Sequence, residues 1–147
     1  MNREEFKSIA TALYNNPNQK AAQRMIGLAL FELPQPTSGM VSTGLLCEYG
    51  YRPPISKCTK EHYHSRNLAA LKVMELLKAG EDIDSWLDEC TTVHLTTKAE
   101  NIRLSRIQND DDTKDLSWQK QYKLAGIKLV KDPGTMPVRL RNKLKKV

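Results

Sequence analysis

Thr91-Thr92-Val93-His94-Leu95-Thr96-Thr97-Lys98-Ala99-Glu100-Asn101 is the stretch on which the fold turns. Cys90 to Thr96 is rich in β-branched residues and reads as a strand. Thr97 to Glu100 is a capping box: the Thr97 hydroxyl accepts from the Glu100 amide, and the Glu100 carboxylate reaches back to the Thr97 amide. A helix should therefore run from Lys98 to about Ile107. With the helices expected on either side of it, a strand that feeds a capped helix gives an expected α+β fold. Asn101 falls in the first turn of that helix, where its amide oxygen either ligates a cation or faces solvent. Glu100 is occupied as the reciprocal cap and is not expected to be a ligand.

Upstream, Phe6, Ile9, Ala10 and Leu13 follow helical spacing until Asn15-Asn16-Pro17 interrupts them. Ala22, Met25, Ile26, Ala29, Leu30 and Leu33 form the stripe of a second helix, which Pro34-Gln35-Pro36 ends. This N-terminal helical pair reads as packing more readily than as a DNA-binding motif. Residues 37–57 carry weak signals, and Leu45 to Tyr51 is either a short strand or a short helix. Ser65 or Asn67 should cap a helix through Ala79, with Leu68, Leu71, Met74, Leu76 and Leu77 on its apolar side and Gly80 closing it. A short helix over Glu81 to Glu89 turns Ile83, Trp86 and Leu87 inward. After the acidic loop Asn109 to Asp112, Trp118 to Ala125 is a last helix closed by Gly126, and Ile127 to Val130 a short strand. The expected boundaries are an N-terminal helical region over 1–36, an α+β core over 37–130 and a basic tail over 131–147.

The 147 residues fit one domain, and 39% hydrophobic with 27% charged residues is a globular composition. The longest apolar run, the seven residues Met25 to Phe31, is far short of a membrane span. Met-Asn-Arg-Glu-Glu at the N-terminus lacks the apolar core of a secretory signal, and the cysteine count is odd. Both features point to a reducing, cytoplasmic setting without disulfides or membrane attachment. The net charge of +6 is concentrated at one end: residues 131–147 carry six bases and one acid. Arg139, Arg141, Lys143, Lys145 and Lys146 follow one another without an acid between them. Such a tail either binds a polyanion such as double-stranded DNA by releasing its counterions or simply solubilises a disordered end.

All three histidines lie between residues 62 and 94. Two of them fall in Lys60-Glu61-His62-Tyr63-His64-Ser65-Arg66. An acid directly before a histidine can hold a hard divalent cation while the imidazole takes a proton from water near neutrality. The plain alternative is a surface Glu beside two half-buried His. If the segment is extended, His62 and His64 share a face, so either could be the base. Arg66 could hold a phosphate or cap a helix.

Glu61-His62-Tyr63-His64-Ser65-Arg66 resembles the first motif of the HNH nucleases, an acid–His pair at the end of a strand. Val93 to Asn101 resembles the closing strand-to-helix segment of their ββα-metal motif. Leu104 to Gln108, with Trp118, Tyr122, Ala125, Gly126 and Ile127, is similar to a segment of small phage-encoded HNH proteins, free-standing homing endonucleases among them. The resemblance covers residues 58–130 at most. It implies an endonuclease with a ββα-metal-like core and one divalent cation, Mg²⁺ or similar, held by Glu61 and Asn101. His62 would be the general base, with His64 as its substitute. Thr91 or Thr92 stands where the family's middle Asn orients the histidine, and that Asn is missing here. His62 and Asn101 are also 39 residues apart, so a helix is inserted between the two halves of the motif. The reaction implied is hydrolysis of a DNA phosphodiester. Arg66 would sit at the phosphate, and Arg139, Arg141, Lys143, Lys145 and Lys146 would supply affinity.

Other readings compete. Cys58 with His62 and Cys90 with His94 form two Cys-x-x-x-His pairs, the ligand types of a structural Zn²⁺. Residues four apart along a strand are ~13 Å apart, too far for one ion unless the chain turns. Cys47 has no partner in that scheme and reads as a buried apolar residue. A non-catalytic DNA-binding protein would use the helical pair and the tail. A nuclease of the very-short-patch-repair or PD-(D/E)xK class would draw carboxylates from Glu81-Asp82-Asp84 or Asp110-Asp111-Asp112. Gly39 and Gly44 do not make a phosphate loop. A recognition site of many base pairs would favour a dimer, though no particular residue specifies one.

Overall fold

The computed structural model describes residues 1–145 and confirms the α+β class. The chain falls into two compact units, each made of two segments. The first joins residues 1–37 to 62–93, and the second joins 38–61 to 94–147. Residues 62–93 therefore group with the N-terminal helices, whereas the sequence reading placed them inside a single 37–130 core.

The first unit is helical: α1 (Arg3–Leu13), α2 (Gln19–Leu30), α3 (Arg66–Lys78) and α4 (Asp84–Thr91). Asn2, Asn18 and Ser65 cap the first three, each side chain accepting from a backbone amide of the first turn. Phe6, Ile26, Leu30, Val73, Met74 and Leu87 are almost wholly enclosed in the core of this unit. Small residues share the inward faces of α2 and α3 with Ile26, Leu30, Val73 and Met74. Leu68 and Leu71, expected inward, are each 40% exposed, and Met25 of α2 is 52% exposed. Ala69 and Ala70 are buried instead, and a Cβ at Gly27 would lie 3.6 Å from that of Ala70. Leu68, Leu71 and Met25 are rotated outward. The α1 cations Arg3 and Lys7 pair with Asp84 of α4, and the Trp86 indole donates to the Ala69 carbonyl at 3.1 Å.

The second unit holds a four-stranded sheet in the order β2-β3-β1-β4. Its strands are β1 (Thr37–Ser42), β2 (Thr59–His62), β3 (Val93–Thr96) and β4 (Leu129–Lys131). β1 and β4 are antiparallel, with Val41 opposite Val130. Val41, Leu45 and Leu95 form its apolar cluster, with Cys58 and Val130 packed against them. The sequence reading did not identify β1, because Ser38, Gly39 and Ser42 dilute its β propensity. β3 begins at Val93, so Cys90 and Thr91, read as strand, are the end of α4 instead. The Thr91 and Thr92 hydroxyls donate to the Leu87 and Asp88 carbonyls, back-bonding to their own helix.

α5 (Lys98–Asn109) starts at the capping box, with both halves formed. α6 (Trp118–Ala125) ends at Gly126, whose φ of 72° is left-handed. The Arg103 guanidinium donates to the Ala125 carbonyl at 2.9 Å and ties the end of α6 to α5. His94, fully buried on β3, bonds the Tyr122 hydroxyl of α6 at 2.8 Å. The basic tail is not an irregular end: Val138–Lys145 forms α7, with Leu140 and Leu144 half-buried. Lys146 lies outside the described residues.

Candidate active site

In the second unit, Glu61 is the third residue of β2 and only 8% exposed. The Asn101 side-chain amide donates to its carboxylate across forty residues of chain. Asn101 is held there by the capping box. The Glu100 amide donates to the Thr97 hydroxyl at 3.1 Å, and the Glu100 carboxylate accepts from the Thr97 amide at 2.8 Å. That carboxylate also accepts from the buried Ser42 hydroxyl at 2.6 Å. A Cβ on Gly44 would approach it to 2.8 Å. Glu100 is thus structural, as its place in the box implies. The amide nitrogen is the Asn101 atom that faces the carboxylate, so a hard cation shared by the two would need the amide turned over to present its oxygen.

His62, the next residue after Glu61, belongs to the first unit. Its Nε2 lies 2.5 Å from the Gln35 Oε1. The Phe31 ring stacks on the imidazole, with centroids 4.8 Å apart and planes within 10°. Burial pushes the His62 imidazole below its ordinary value, so it is neutral near pH 7. The Gln35 amide nitrogen donates to the Leu30 and Leu33 carbonyls at 3.2 and 2.8 Å. Turning that amide over would set its oxygen against two carbonyl oxygens and forfeit two bonds of roughly 0.5–1.5 kcal/mol each. Oε1 is therefore the atom that faces His62.

β2 ends at His62, and Tyr63 and His64 form a bend, so the extended segment that would make the two histidines interchangeable is missing. His64 bonds the Glu89 carboxylate at 3.1 Å and lies against Trp86. Arg66 is the first residue of α3, and Ser65 rather than Arg66 provides the cap. Its exposed guanidinium sits 4.7 Å from the Phe31 ring centre. A Cβ on Gly27 would come within 3.0 Å of the Arg66 Cγ, so the glycine makes room for the arginine stem.

The other candidates are separate from these residues. The Cys90 thiol is buried in the helical core and pushed up to about 12 by that burial. The Cys58 thiol points at the Pro53 and Pro54 carbonyls. Among the described residues, no three His, Cys, Asp or Glu gather as a metal-holding group, the four zinc candidates included. Cys47, expected to be buried, is exposed. Asp82 accepts from the Asp84 amide, Asp110 from the Asp112 amide, and Asp111 pairs with Lys114, as loop carboxylates do. Arg139, Arg141, Lys143 and Lys145 are all exposed on α7. Among the described residues, no helix is long and apolar enough to cross a membrane.

Sequence reasoning missed Gln35 and Phe31. Gln35 had appeared only as the filling of a proline pair that ends α2. Nothing in its neighbourhood announces a partner 27 residues downstream. No protein-family model, curated protein or solved structure matches the chain.

Proposed function

We infer that the chain is a metal-dependent DNA endonuclease of HNH type. The observation that carries this reading is the pairing of Glu61 with Asn101, brought together from β2 and the first turn of α5. The two residues are those the HNH resemblance implies as ligands, and the Glu61 carboxylate with the Asn101 oxygen, once the amide turns, would suit a hard cation. Glu61 and Asn101 would hold one divalent ion, Mg²⁺ or similar. When bound, the ion would stabilise the negative charge gathered on the phosphate and the departing 3′ oxygen.

By the HNH resemblance His62 would be the general base that takes the proton of the attacking water, and the hydroxide so formed would add to phosphorus as the 3′ oxygen leaves. The exposed Arg66 guanidinium is available to a phosphate, with the Phe31 ring limiting its excursions. The cations of α7 add affinity that is independent of sequence. Site preference of the homing type would need base-edge contacts in addition. A purely DNA-binding protein would use α7 in the same way but has no need of a buried Glu61 paired with Asn101.

Replacing Asn101 with Ala, or Glu61 with Gln, separates the two readings. Each variant should lower Mg²⁺-dependent cleavage by about a hundredfold, with DNA retardation on a gel unchanged. Cleavage at the wild-type rate in both variants would remove the metal pair from the mechanism.

A further inference from the structure

We propose that a cleft inside the second unit is a pocket for one unpaired nucleobase of bound DNA, with Arg141 at the neighbouring phosphate. This rests on the DNA reading of the basic tail and goes beyond it, because it gives a place to a base as well as to phosphates. The cleft lies between the loop from Cys47 to Pro54 and the segment from Thr135 to Arg141, and it encloses about 270 Å³. Pockets for drug-sized ligands run from ~300 to 1,000 Å³, so this one has room for a single ring system and little more. Its wall is mostly apolar, with Tyr51, Pro53, Pro54 and Met136 around it and the buried Leu45 among them. An aromatic side chain in such a wall gives a flat base a surface to stack on.

The walls are set before any ligand arrives. The Arg52 amide donates to the Gly134 carbonyl at 3.1 Å, and Arg52 and Thr135 form an isolated parallel bridge, which ties the two segments side by side. The Cys47 amide donates to the Tyr51 carbonyl at 2.8 Å and closes the turn before Tyr51, while the rings of Pro53 and Pro54 restrict the backbone after it. The two arginines of the cleft are not equivalent. Arg52 is engaged by both oxygens of Asp132 and by the Pro53 carbonyl. Arg141 is exposed, and among the described residues no carboxylate pairs with its guanidinium. A small apolar ring carrying one negative charge would satisfy the pocket by itself. The rest of α7 decides between a lone anion and a strand. Arg139, Lys143 and Lys145 are exposed on the same helix, and four cations from Arg139 to Lys145 answer a chain of phosphates. A base inside a duplex stack cannot enter a cleft of this kind, so the occupant is a base already out of the stack, whose entry costs least.

The test measures binding of two labelled duplexes to the full-length protein by fluorescence anisotropy, in EDTA. Each duplex has one extra nucleotide in one strand, a thymidine in the first and an abasic residue in the second, so bending and charge are matched and only the base differs. The wild type should bind the thymidine duplex about five- to a hundredfold more tightly. Tyr51→Ala and Met136→Trp, the second of which fills the cleft, should each bring that ratio towards one. Arg141→Gln should lower the ratio too, because its phosphate contact follows the base into the pocket, whereas Lys143→Gln should weaken both duplexes alike. Equal affinity of the wild type for the two duplexes, or an unchanged ratio in Met136→Trp, overturns the pocket and leaves the DNA reading standing. Failure to bind either duplex at low salt refutes the DNA reading and the pocket with it. Displacement of the thymidine duplex by micromolar thymidine monophosphate would make the cleft a site for free nucleotides and contradict its assignment to DNA.

Discussion

Glu100 and Asn101 are neighbours in the sequence with opposite duties, and the difference comes from where each side chain points. Glu100 turns back to the Thr97 amide and to Ser42, and Asn101 reaches Glu61. Gly44 is part of the same arrangement, since any side chain there would enter the space of the Glu100 carboxylate. That carboxylate is held by two donors and cannot swing away cheaply. Gly44→Ala should therefore destabilise the protein by roughly 1–3 kcal/mol in urea unfolding, and an unchanged midpoint would mean that Glu100 moves freely. The Thr97–Glu100 box was legible in the sequence because its rule is local. The role of Gly44 was not, because it depends on a residue 56 positions away. Gln35 was hidden for the same reason: a side-chain amide bonds whatever the fold brings to it.

Among the elements, the capped helices were the most legible. Thr97 and Gly126, and Ser65 as one of two candidates with Asn67, mark boundaries that propensity and capping chemistry indicate without tertiary help. The inward faces were less so. Hydrophobicity pointed to Leu68 and Leu71, but Ala69 and Ala70 are the residues of that stretch that face the core. Around β4, the Arg52 guanidinium bonds both oxygens of Asp132 at 2.7 and 2.9 Å, and the Arg52 amide donates to Gly134. Burial pushes Asp132 up, but Arg52 and the Gly134 amide outweigh it and hold the carboxyl below its ordinary 3.8. A depressed carboxylate contributes stability above its unfolded value and loses it as pH falls through the folded one. Arg52→Met should thus cost roughly 1.5 kcal/mol at neutral pH. The gap from wild type should close as the pH drops below 3.8. A gap that stays constant through that range would show that the pair adds nothing through charge.

At the scale of the whole molecule, the uneven charge was plain in the sequence, whereas the division into two units was not. Chain order suggests a core over 37–130, but contacts join 62–93 to the N-terminal helices. The motif residues Glu61 and His62 therefore stand at the point where the chain passes from one unit to the other. The tail is helical as far as Lys145, with its cations exposed. Removing residues 139–147 deletes five cations. The slope of log affinity for DNA against log salt should then flatten by as much as about 4.5, with the loss uniform across DNA sequences. Full-strength, salt-dependent binding by the truncated chain would move the DNA contact elsewhere.

The central claim is that a divalent cation and the His62 imidazole together hydrolyse DNA. Plasmid nicking or cutting by wild-type and His62→Ala protein, in Mg²⁺ and then in EDTA, tests it most directly, with a plasmid that carries DNA flanking the native gene. Cleavage by wild type in Mg²⁺, lost in EDTA and lost in His62→Ala while the variant still retards DNA, is the expected result. Undiminished cleavage by His62→Ala, or by wild type in EDTA, would contradict the account.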